Sequence, residues 1–252
     1  MLRFVVLCLT LTVVRAANEI SPCVSGTWAS TCPASPAPYL INMNLELRNF
    51  VVAAHNARRN RLALGQLPGY QSARRMAFVR WDADLASRAE LNVKQCIRKR
   101  DTCHGTARFP NSGQNIAYFA YDPALTDRTD HTRMPIWESS IVSPPPGLES
   151  KWIARTNQAT SIGKLFFLFC LSFCRSMSRF AVMAQERNLA VGCAASRFVK
   201  NNQNHFLVAC NYAVKNTVGS PVYVTGPAGS GCQTGVNIDY PGLCKFAENY
   251  NI

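Results

Sequence analysis

The sequence predicts an α+β fold in which helices come early in the chain and a stapled β-hairpin comes late. Between Leu45 and Leu64, apolar residues recur at three- and four-residue spacing, which is typical of an amphipathic helix. Between Val191 and Tyr212, two short β-prone runs flank a polar, Asn-rich turn. Helices and strands that are segregated along the chain in this way favour the α+β class.

The hairpin carries one cysteine on each predicted strand. If the chain turns at Asn201 and Asn202, Cys193 falls opposite Cys210. Residues directly opposite in an antiparallel pair have Cα atoms roughly 4.5–5.5 Å apart, which suits a disulfide. A longer loop would shift this register, but the pattern still predicts a disulfide-stapled hairpin.

Two helices are predicted before the hairpin. In the first, His55 follows Val51 by four residues and therefore points toward the buried side of the helix. A lone histidine in such a place is more often a hydrogen-bonded core residue than a ligand. The second helix is predicted from about Ala83 to Cys96, with Asp82 or Asp84 as its N-cap.

Residues 1–16 have the pattern of a secretory signal peptide: a positive start, an apolar run and small residues after it. The apolar run is shorter than the roughly 20 residues that a membrane span needs. Cleavage after Ala16 would leave 236 residues (252 minus 16) and, without Cys8, ten of the 11 cysteines. An even number of cysteines in an exported chain is typical of a disulfide framework. We therefore expect a secreted, extracellular protein without a transmembrane segment.

The mature chain is expected to have three parts. Residues 17–44 form a Cys- and Pro-rich extension that contains Cys23 and Cys32. Residues 45–215 form the main domain. Residues 216–252 form a Gly- and Pro-rich tail in which Cys232 and Cys244 lie twelve residues apart and are expected to pair. This tail is interpreted as a small stapled appendage and not as a second core.

Residues 164–175 follow neither a helical nor an alternating pattern, although most of them are apolar. Phe, Leu, Ser and Cys codons are pyrimidine-rich, as is the tract before a splice acceptor, so we interpret this segment as translated intron. Two alternatives stay open. One is a hydrophobic loop that touches a membrane, and the other is a metal clip formed by Cys170 and Cys174, which has no histidine partners nearby.

The formal net charge is +13, and it becomes +11 when Arg3 and Arg15 leave with the signal peptide. Basic residues fall into three clusters, which are Arg58, Arg59 and Arg61; Arg74, Arg75 and Arg80; and Arg98, Lys99 and Arg100. In a secreted protein such charge favours acidic glycans, anionic lipid surfaces or acidic proteins over nucleic acid. The alternative is that these residues are solvated faces that keep the protein soluble.

Five ordered motifs resemble those of the CAP superfamily of cysteine-rich secretory proteins, antigen 5 allergens and plant pathogenesis-related proteins. They are Ala54-His55-Asn56-Ala57-Arg58-Arg59, Val79-Arg80-Trp81-Asp82-Ala83-Asp84-Leu85-Ala86, Ser112-Gly113-Gln114-Asn115-Ile116, Phe180-Ala181-Val182-Met183 with Val191-Gly192-Cys193-Ala194, and Leu207-Val208-Ala209-Cys210-Asn211-Tyr212. The cysteine-bearing extensions at both ends resemble the insect antigen 5-related branch. The resemblance implies a three-layer α-β-α sandwich with a mixed, largely antiparallel sheet.

The resemblance also implies a central cleft, in which family members often hold two histidines and two glutamates. Position by position, His55 matches the first histidine, Gln114 replaces one glutamate, Ser140 replaces the other, with Glu138 close by, and Arg179 replaces the second histidine. Such a degenerate set makes a poor zinc site, because arginine stays protonated and repels a cation. We therefore expect no metal and no other cofactor.

The expected function is that of a non-catalytic binding protein. A lone His55 supplies neither a nucleophile with its base nor a paired acid and base. The partner would be a small apolar ligand such as a sterol or fatty acid, or an extracellular protein or glycan. The alternatives are a metal-dependent hydrolase or protease centred on His55, and a copy without molecular activity.

Four cysteines can pair in three ways, and these are Cys23, Cys32, Cys96 and Cys103. The resemblance favours links from the N-terminal extension to the region between Cys96 and Cys103.

Overall fold

The computed structural model describes residues 26–121, 179–217 and 220–252. These residues contain the helices α1 (Leu45–Ala63) and α2 (Ala83–Val93), a helical stretch at 179–184, and the strands β1 (Tyr39–Leu40), β2 (Arg80–Trp81), β3 (Gly113–Tyr121), β4 (Ala190–Lys200) and β5 (Gln203–Tyr212). The predicted signal peptide, Cys23 and the segment 164–175 lie outside the described residues. Within the described ranges, no helix is long and apolar enough to cross a membrane.

The strands form a mixed, largely antiparallel sheet in the order β1-β4-β5-β3. The strand β2 pairs in parallel with β4, on the edge that β4 also shares with β1. The hairpin of β4 and β5 turns at Asn201 and Asn202, whose φ angles of 50° and 55° suit a tight two-residue hairpin turn. As predicted, Cys193 lies opposite Cys210, and a disulfide joins them with a Cα–Cα distance of 4.1 Å.

Helices cover both faces of the sheet, which confirms the three-layer α-β-α sandwich. Successive residues of β5 point to opposite faces. Val208 and Cys210 pack in a core cluster with α1, whereas Leu207 and Ala209 pack in a second cluster with α2. We call these two sides the α1 face and the α2 face.

Side-chain caps fix where the helices begin. The Asn44 side chain accepts a hydrogen bond from the Leu47 backbone N–H at the start of α1. The Asp82 carboxylate accepts one from the Leu85 N–H, 2.9 Å away, and so caps α2. The predicted end of α2 at Cys96 is corrected to Val93, because the chain must turn there: Cys96 has a left-handed backbone (φ 52°) and is disulfide-bonded to Cys32.

The bond between Cys32 and Cys96 ties the N-terminal extension to the end of α2, in line with the family pattern. Cys103 is also disulfide-bonded. The extension adds Trp28 and Leu40 to the core on the α2 face. The extension therefore contributes packing as well as a covalent link.

A fully buried arginine joins α1 to the segments that flank it. The Arg59 side chain is 0% exposed. Its guanidinium donates to four backbone carbonyls: Nε and Nη2 donate to Ala77 O (3.2 and 2.9 Å), Nη1 to Met183 O (2.5 Å) and Gln185 O (2.9 Å), and Nη2 also to Glu186 O (3.3 Å). Burial lowers its pKa to about 10, so it stays charged at neutral pH. One side chain thus cross-links α1, residue 77 and residues 183–186.

Asn56 performs a similar role one helical turn earlier. Its amide donates to Val79 O and accepts from Val79 N–H, both at 2.8 Å, as a neighbouring strand would. The Asn56 side chain is buried. The Asn56 side chain therefore provides hydrogen-bond partners for the N–H and C=O of Val79, just before β2. Without it, these backbone groups would be buried without partners.

The C-terminal tail packs into the core on the α1 face. Tyr223 and Leu243 are buried there, and Cys232 is disulfide-bonded to Cys244. The prediction of a pair was right, but the tail is more than an appendage, because its apolar side chains complete the main core.

Further along the tail, the Glu248 carboxylate ties the chain end to its surroundings. It accepts hydrogen bonds from Arg75 Nε, from Gln233 N–H, and from the N–H and hydroxyl of Thr234. Burial alone would raise the pKa of Glu248, but these donors lower it to about 2. The carboxylate is therefore charged at neutral pH.

Replacing Arg59 with methionine should destabilise the protein strongly. A methionine side chain would fill much of the volume but would remove the guanidinium donors from all four carbonyls, which we expect to cost about 3–5 kcal/mol. Urea unfolding of R59M gives the measurement. The matched control is R61M on the exposed side of the same helix, for which a change below about 0.5 kcal/mol is expected. Equal losses in the two variants would contradict the cross-linking role.

Gly192 marks the closest approach of β4 to α2. A Cβ added there would lie 2.1 Å from Ala86 N and 2.5 Å from Asp82 O, so the helix would have to move. We expect G192A to lose about 1–3 kcal/mol of unfolding free energy. The control is G26A, where nothing lies within 4 Å of the added Cβ. A wild-type melting temperature for G192A would show that α2 is not packed this tightly.

Candidate functional site

His55 lies inside the core and uses both ring nitrogens for hydrogen bonds. It is 0% exposed, with Nδ1 2.7 Å from Val51 O and Nε2 3.0 Å from the Tyr212 hydroxyl. Because a carbonyl only accepts, Nδ1 carries the proton, and Nε2 accepts from Tyr212. Burial is the main cause that lowers the pKa of His55 to about 4. The ring is therefore neutral at physiological pH.

The hydrogen bonds continue from His55 across the sheet. Asn115 Nδ2 on β3 donates to the Tyr212 hydroxyl oxygen (3.3 Å) and to Arg179 O (2.8 Å). Asn115 and Tyr212 are both buried. This chain of polar groups ties α1 to β5, β3 and the start of the 179–184 stretch. It brings His55 and the backbone of Arg179 into one network, whereas the Arg179 side chain is half-buried.

Gln114 points to the other face of the sheet. Its Oε1 accepts from Asp101 N–H (3.2 Å), and its Nε2 donates to Asp101 Oδ1 (3.3 Å). Asp101 is itself bonded to Asn92 of α2 (2.5 Å). Since Asn115 faces α1, its neighbour Gln114 must face α2. The structure therefore does not bring His55 and Gln114 together in one cleft. Ser140, with its neighbour Glu138, lies outside the described residues.

Sequence reasoning missed His104, which lies beside the start of β3. Its Nδ1 is 2.6 Å from the Ser112 hydroxyl, and the ring is half-buried. Burial is the first cause that lowers its pKa; Asp101 raises it, and the positive charges of Arg100 and Lys215 lower it further. The available signal was its position, eight residues before Ser112 in the Ser-Gly-Gln-Asn motif. A loop histidine belongs to no periodic pattern, so nothing in the helical or strand pattern drew attention to it.

The arrangement around these histidines does not support nucleophilic catalysis. Ser112 is buried, and its hydroxyl is hydrogen-bonded to His104. A nucleophile must reach the substrate, and a buried hydroxyl cannot. His55 is likewise enclosed, so it cannot act as an exposed base.

Comparison with known proteins finds venom and antigen 5 allergens among the relatives of this chain. The chain is 29% identical over 214 residues to venom allergen-1 of Aedes aegypti, covering 84% of this chain and 77% of that protein. It is 45% identical over 94 residues to the antigen 5 like allergen Cul n 1 of Culicoides nubeculosus, covering 37% of this chain and 42% of the allergen. Among solved structures, NaASP2 with Zn²⁺ superposes with a TM-score of 0.56 at 21% identity, covering 85% of this chain and 100% of that chain. No family profile matches the chain.

These relatives and structural neighbours support a CAP superfamily, antigen 5-related protein. The five ordered motifs and the two cysteine-bearing ends predicted this relationship. The fold of the CAP protein NaASP2 agrees with the three-layer arrangement found here.

The CAP resemblance implies a metal-binding cleft, and the residues present do not fit one. Within 26–121, 179–217 and 220–252, no three His, Cys, Asp or Glu side chains are grouped to hold a metal ion. The carboxamide of Gln114 is already bonded to Asp101, and the charges of Arg100 and Lys215 act on His104. Nearby cationic side chains oppose the binding of a divalent cation. The described residues therefore give no ground for carrying the zinc of NaASP2 over to this chain.

The His55 network predicts a specific loss of stability in mild acid. The unfolded state binds a proton at His55 near pH 6.5, whereas the folded state resists it down to about pH 4. The folded pKa is depressed, so the unfolded state binds more protons between these values, and stability falls as the pH falls from 6.5 to about 4. The loss is about 3 kcal/mol for a shift of this size.

Unfolding free energies of wild type and H55Q, measured from neutral pH down to about pH 4, provide the test. Glutamine removes the titrating group, so H55Q should be less stable at neutral pH and should show a flatter pH dependence. Parallel curves for the two proteins would contradict a neutral, buried His55.

Proposed function

We propose that this protein is a secreted, non-catalytic CAP protein that binds an acidic extracellular partner. The main support for the proposal is where the structure places the candidate catalytic residues and the basic residues. His55 and Ser112 are buried and used in structural hydrogen bonds, whereas the basic residues Arg98, Lys99 and Arg100 are exposed in succession. Such a surface suits binding through charge more than it suits a reaction.

Localisation outside the cell is part of this proposal. Disulfides join Cys32 to Cys96, Cys193 to Cys210, and Cys232 to Cys244. Disulfides of this kind form and persist in oxidising compartments. The relatives are named as venom allergens and antigen 5 allergens, which agrees with export.

A small apolar ligand is less well supported. A groove of about 430 Å³ runs beside the exposed side of α2, and charged or polar side chains dominate its lining, namely Asp84, Ser87, Arg88, Glu90 and Thr106, with Leu91 and Ala107. A sterol or fatty acid would require a mostly apolar lining. The groove therefore favours a polar partner over a lipid. A hydrolase is less well supported again, since His55 is enclosed and its two ring nitrogens are hydrogen-bonded to Val51 O and to the Tyr212 hydroxyl.

The test is a binding panel with the secreted, disulfide-intact protein. The probes are heparin, an acidic protein such as a polyglutamate-rich fragment, and fatty-acid or sterol-loaded micelles. Binding to an acidic probe should weaken markedly between about 50 and about 500 mM salt, because exposed charges are screened over about 10 Å or less at and above 0.1 M. Native mass spectrometry of the same sample would reveal a retained lipid. Salt-independent binding of a lipid, with no affinity for either acidic probe, would overturn the proposal.

A further inference from the structure

In two of the three basic clusters in the sequence, some of the cations are engaged by the fold. In the first cluster, Arg59 is buried in its cage of carbonyls. In the second, Arg75 is paired with Glu248 at 2.7 Å, and the Arg80 guanidinium lies 4.3 Å from the ring centre of Phe246. These cations contribute to internal packing, and their charges are already partly balanced. Net charge alone does not distinguish them from cations available to a partner.

The third cluster lies on an exposed loop. We call residues 98–100 the basic loop; all three are exposed. The loop is held in place at both sides, since Cys96 is bonded to Cys32 and Cys103 is also disulfide-bonded. Asn92 Nδ2 donates to Lys99 O at 2.9 Å and fixes the loop backbone to α2.

The acidic groups next to the basic loop are largely satisfied within the protein. The Asp101 carboxylate accepts hydrogen bonds from the side chains of Asn92, Gln95 and Gln114 and from the Cys103 N–H. These hydrogen bonds hold the loop against α2 and β3. On α2, Glu90 is paired with Lys94 at 2.6 Å. These carboxylates therefore offset the charge of the basic loop only in part.

A fourth cation lies on the same side. Lys215 is exposed, and its backbone N–H donates to Asn111 O at 2.8 Å, which holds it beside the start of β3. Lys215 lies against the first residue of β3, since a Cβ added at Gly113 would be 3.1 Å from the Lys215 Cα. The basic loop meets the next residue of β3, because the N–H of Asp101, which follows Arg100, donates to Gln114 Oε1 at 3.2 Å. The basic loop and Lys215 are thus both attached at the start of β3.

We propose that Arg98, Lys99, Arg100 and Lys215 form a binding site for the sulfate groups of an extracellular glycan. This inference rests on the proposed function and names its site and its ligand class. Guanidinium and ammonium groups recognise sulfate oxygens through charge-assisted hydrogen bonds. A loop that is already fixed loses little conformational entropy when it binds.

Among the described residues, no large exposed hydrophobic side chain adjoins the basic loop or Lys215 in sequence, which favours a glycan over a protein. Protein interfaces depend on a few buried aromatic or apolar residues at their centre. The large hydrophobic side chains exposed in the described residues are Tyr39, Leu45, Val224, Val236, Ile238, Phe246 and Ile252, and none lies within residues 97–104 or near Lys215 in sequence. A closely spaced set of cations without such an anchor matches the repeated sulfates of a polysaccharide.

The test compares two charge-matched variants of the full secreted protein. R98Q/K99Q/K215Q removes three exposed cations from the site and keeps the Lys99 carbonyl that Asn92 holds. R61Q/K200Q/K245Q removes three exposed cations elsewhere. Circular dichroism and melting curves check folding, and R98Q/K99Q serves if the triple variant is unstable. Heparin and fully desulfated heparin are the probes, and Kd is measured at several salt concentrations.

We expect the site variant to bind heparin roughly tenfold or more weakly, with a shallower salt dependence. The control variant should stay within about threefold of wild type, and desulfated heparin should bind poorly to all three proteins. Equal weakening in both variants, or equal binding of desulfated heparin, would overturn the site while the proposed function stands. Wild-type binding to the acidic protein but not to heparin would overturn the glycan assignment alone. No binding to either acidic probe would overturn both.

Discussion

The buried guanidinium of Arg59 is the interaction on which the arrangement of the α1 face depends. A charge without water is expensive, and a pairing carboxylate is the usual compensation. Here the compensation is four backbone carbonyls, supplied by residue 77 and by residues 183–186. Those carbonyls come from chain segments that lie outside the sheet. The side chain and these segments therefore depend on each other, because removing either partner leaves buried hydrogen-bonding capacity unmet.

The same logic explains why the motif on α1 is so polar. His55, Asn56 and Arg59 are all fully buried, and each reaches a different element: β5, the segment before β2, and residues 183–186. In a helix, positions three and four residues apart share one side. An apolar stripe would pack the helix against the sheet, but only polar groups with fixed geometry satisfy the irregular backbone around it. The CAP-like motif on α1 therefore stabilises the fold, and His55 is one of its structural residues.

Those parts of the fold that depend on local pattern were predictable from the sequence. The hairpin register followed from two cysteines and an Asn-Asn turn, and α1 followed from its apolar spacing. The candidate cleft was not predictable in the same way. A shift of one residue in the register of β3 would turn Gln114 toward α1 and Asn115 toward α2. The sequence pattern does not determine that register, so it does not determine which of the two residues lies near His55. A family resemblance predicts which residue type stands at each position. It does not predict hydrogen-bond partners such as Asp101, because Asp101 lies in a loop that has no periodic sequence pattern.

The net charge of the chain likewise does not show which cations are available to a partner. A net charge of +13 describes the chain equally well whether its arginines stabilise the interior or face solvent. Arg59 and Lys99 are both cations, yet one satisfies carbonyls in the core and the other projects from a loop whose backbone is fixed by Asn92. The first contributes to stability and cannot meet a ligand; the second contributes little to stability and is accessible to one. We therefore expect the binding function to lie in the loops, because the residues of the CAP-like motifs make contacts that stabilise the fold.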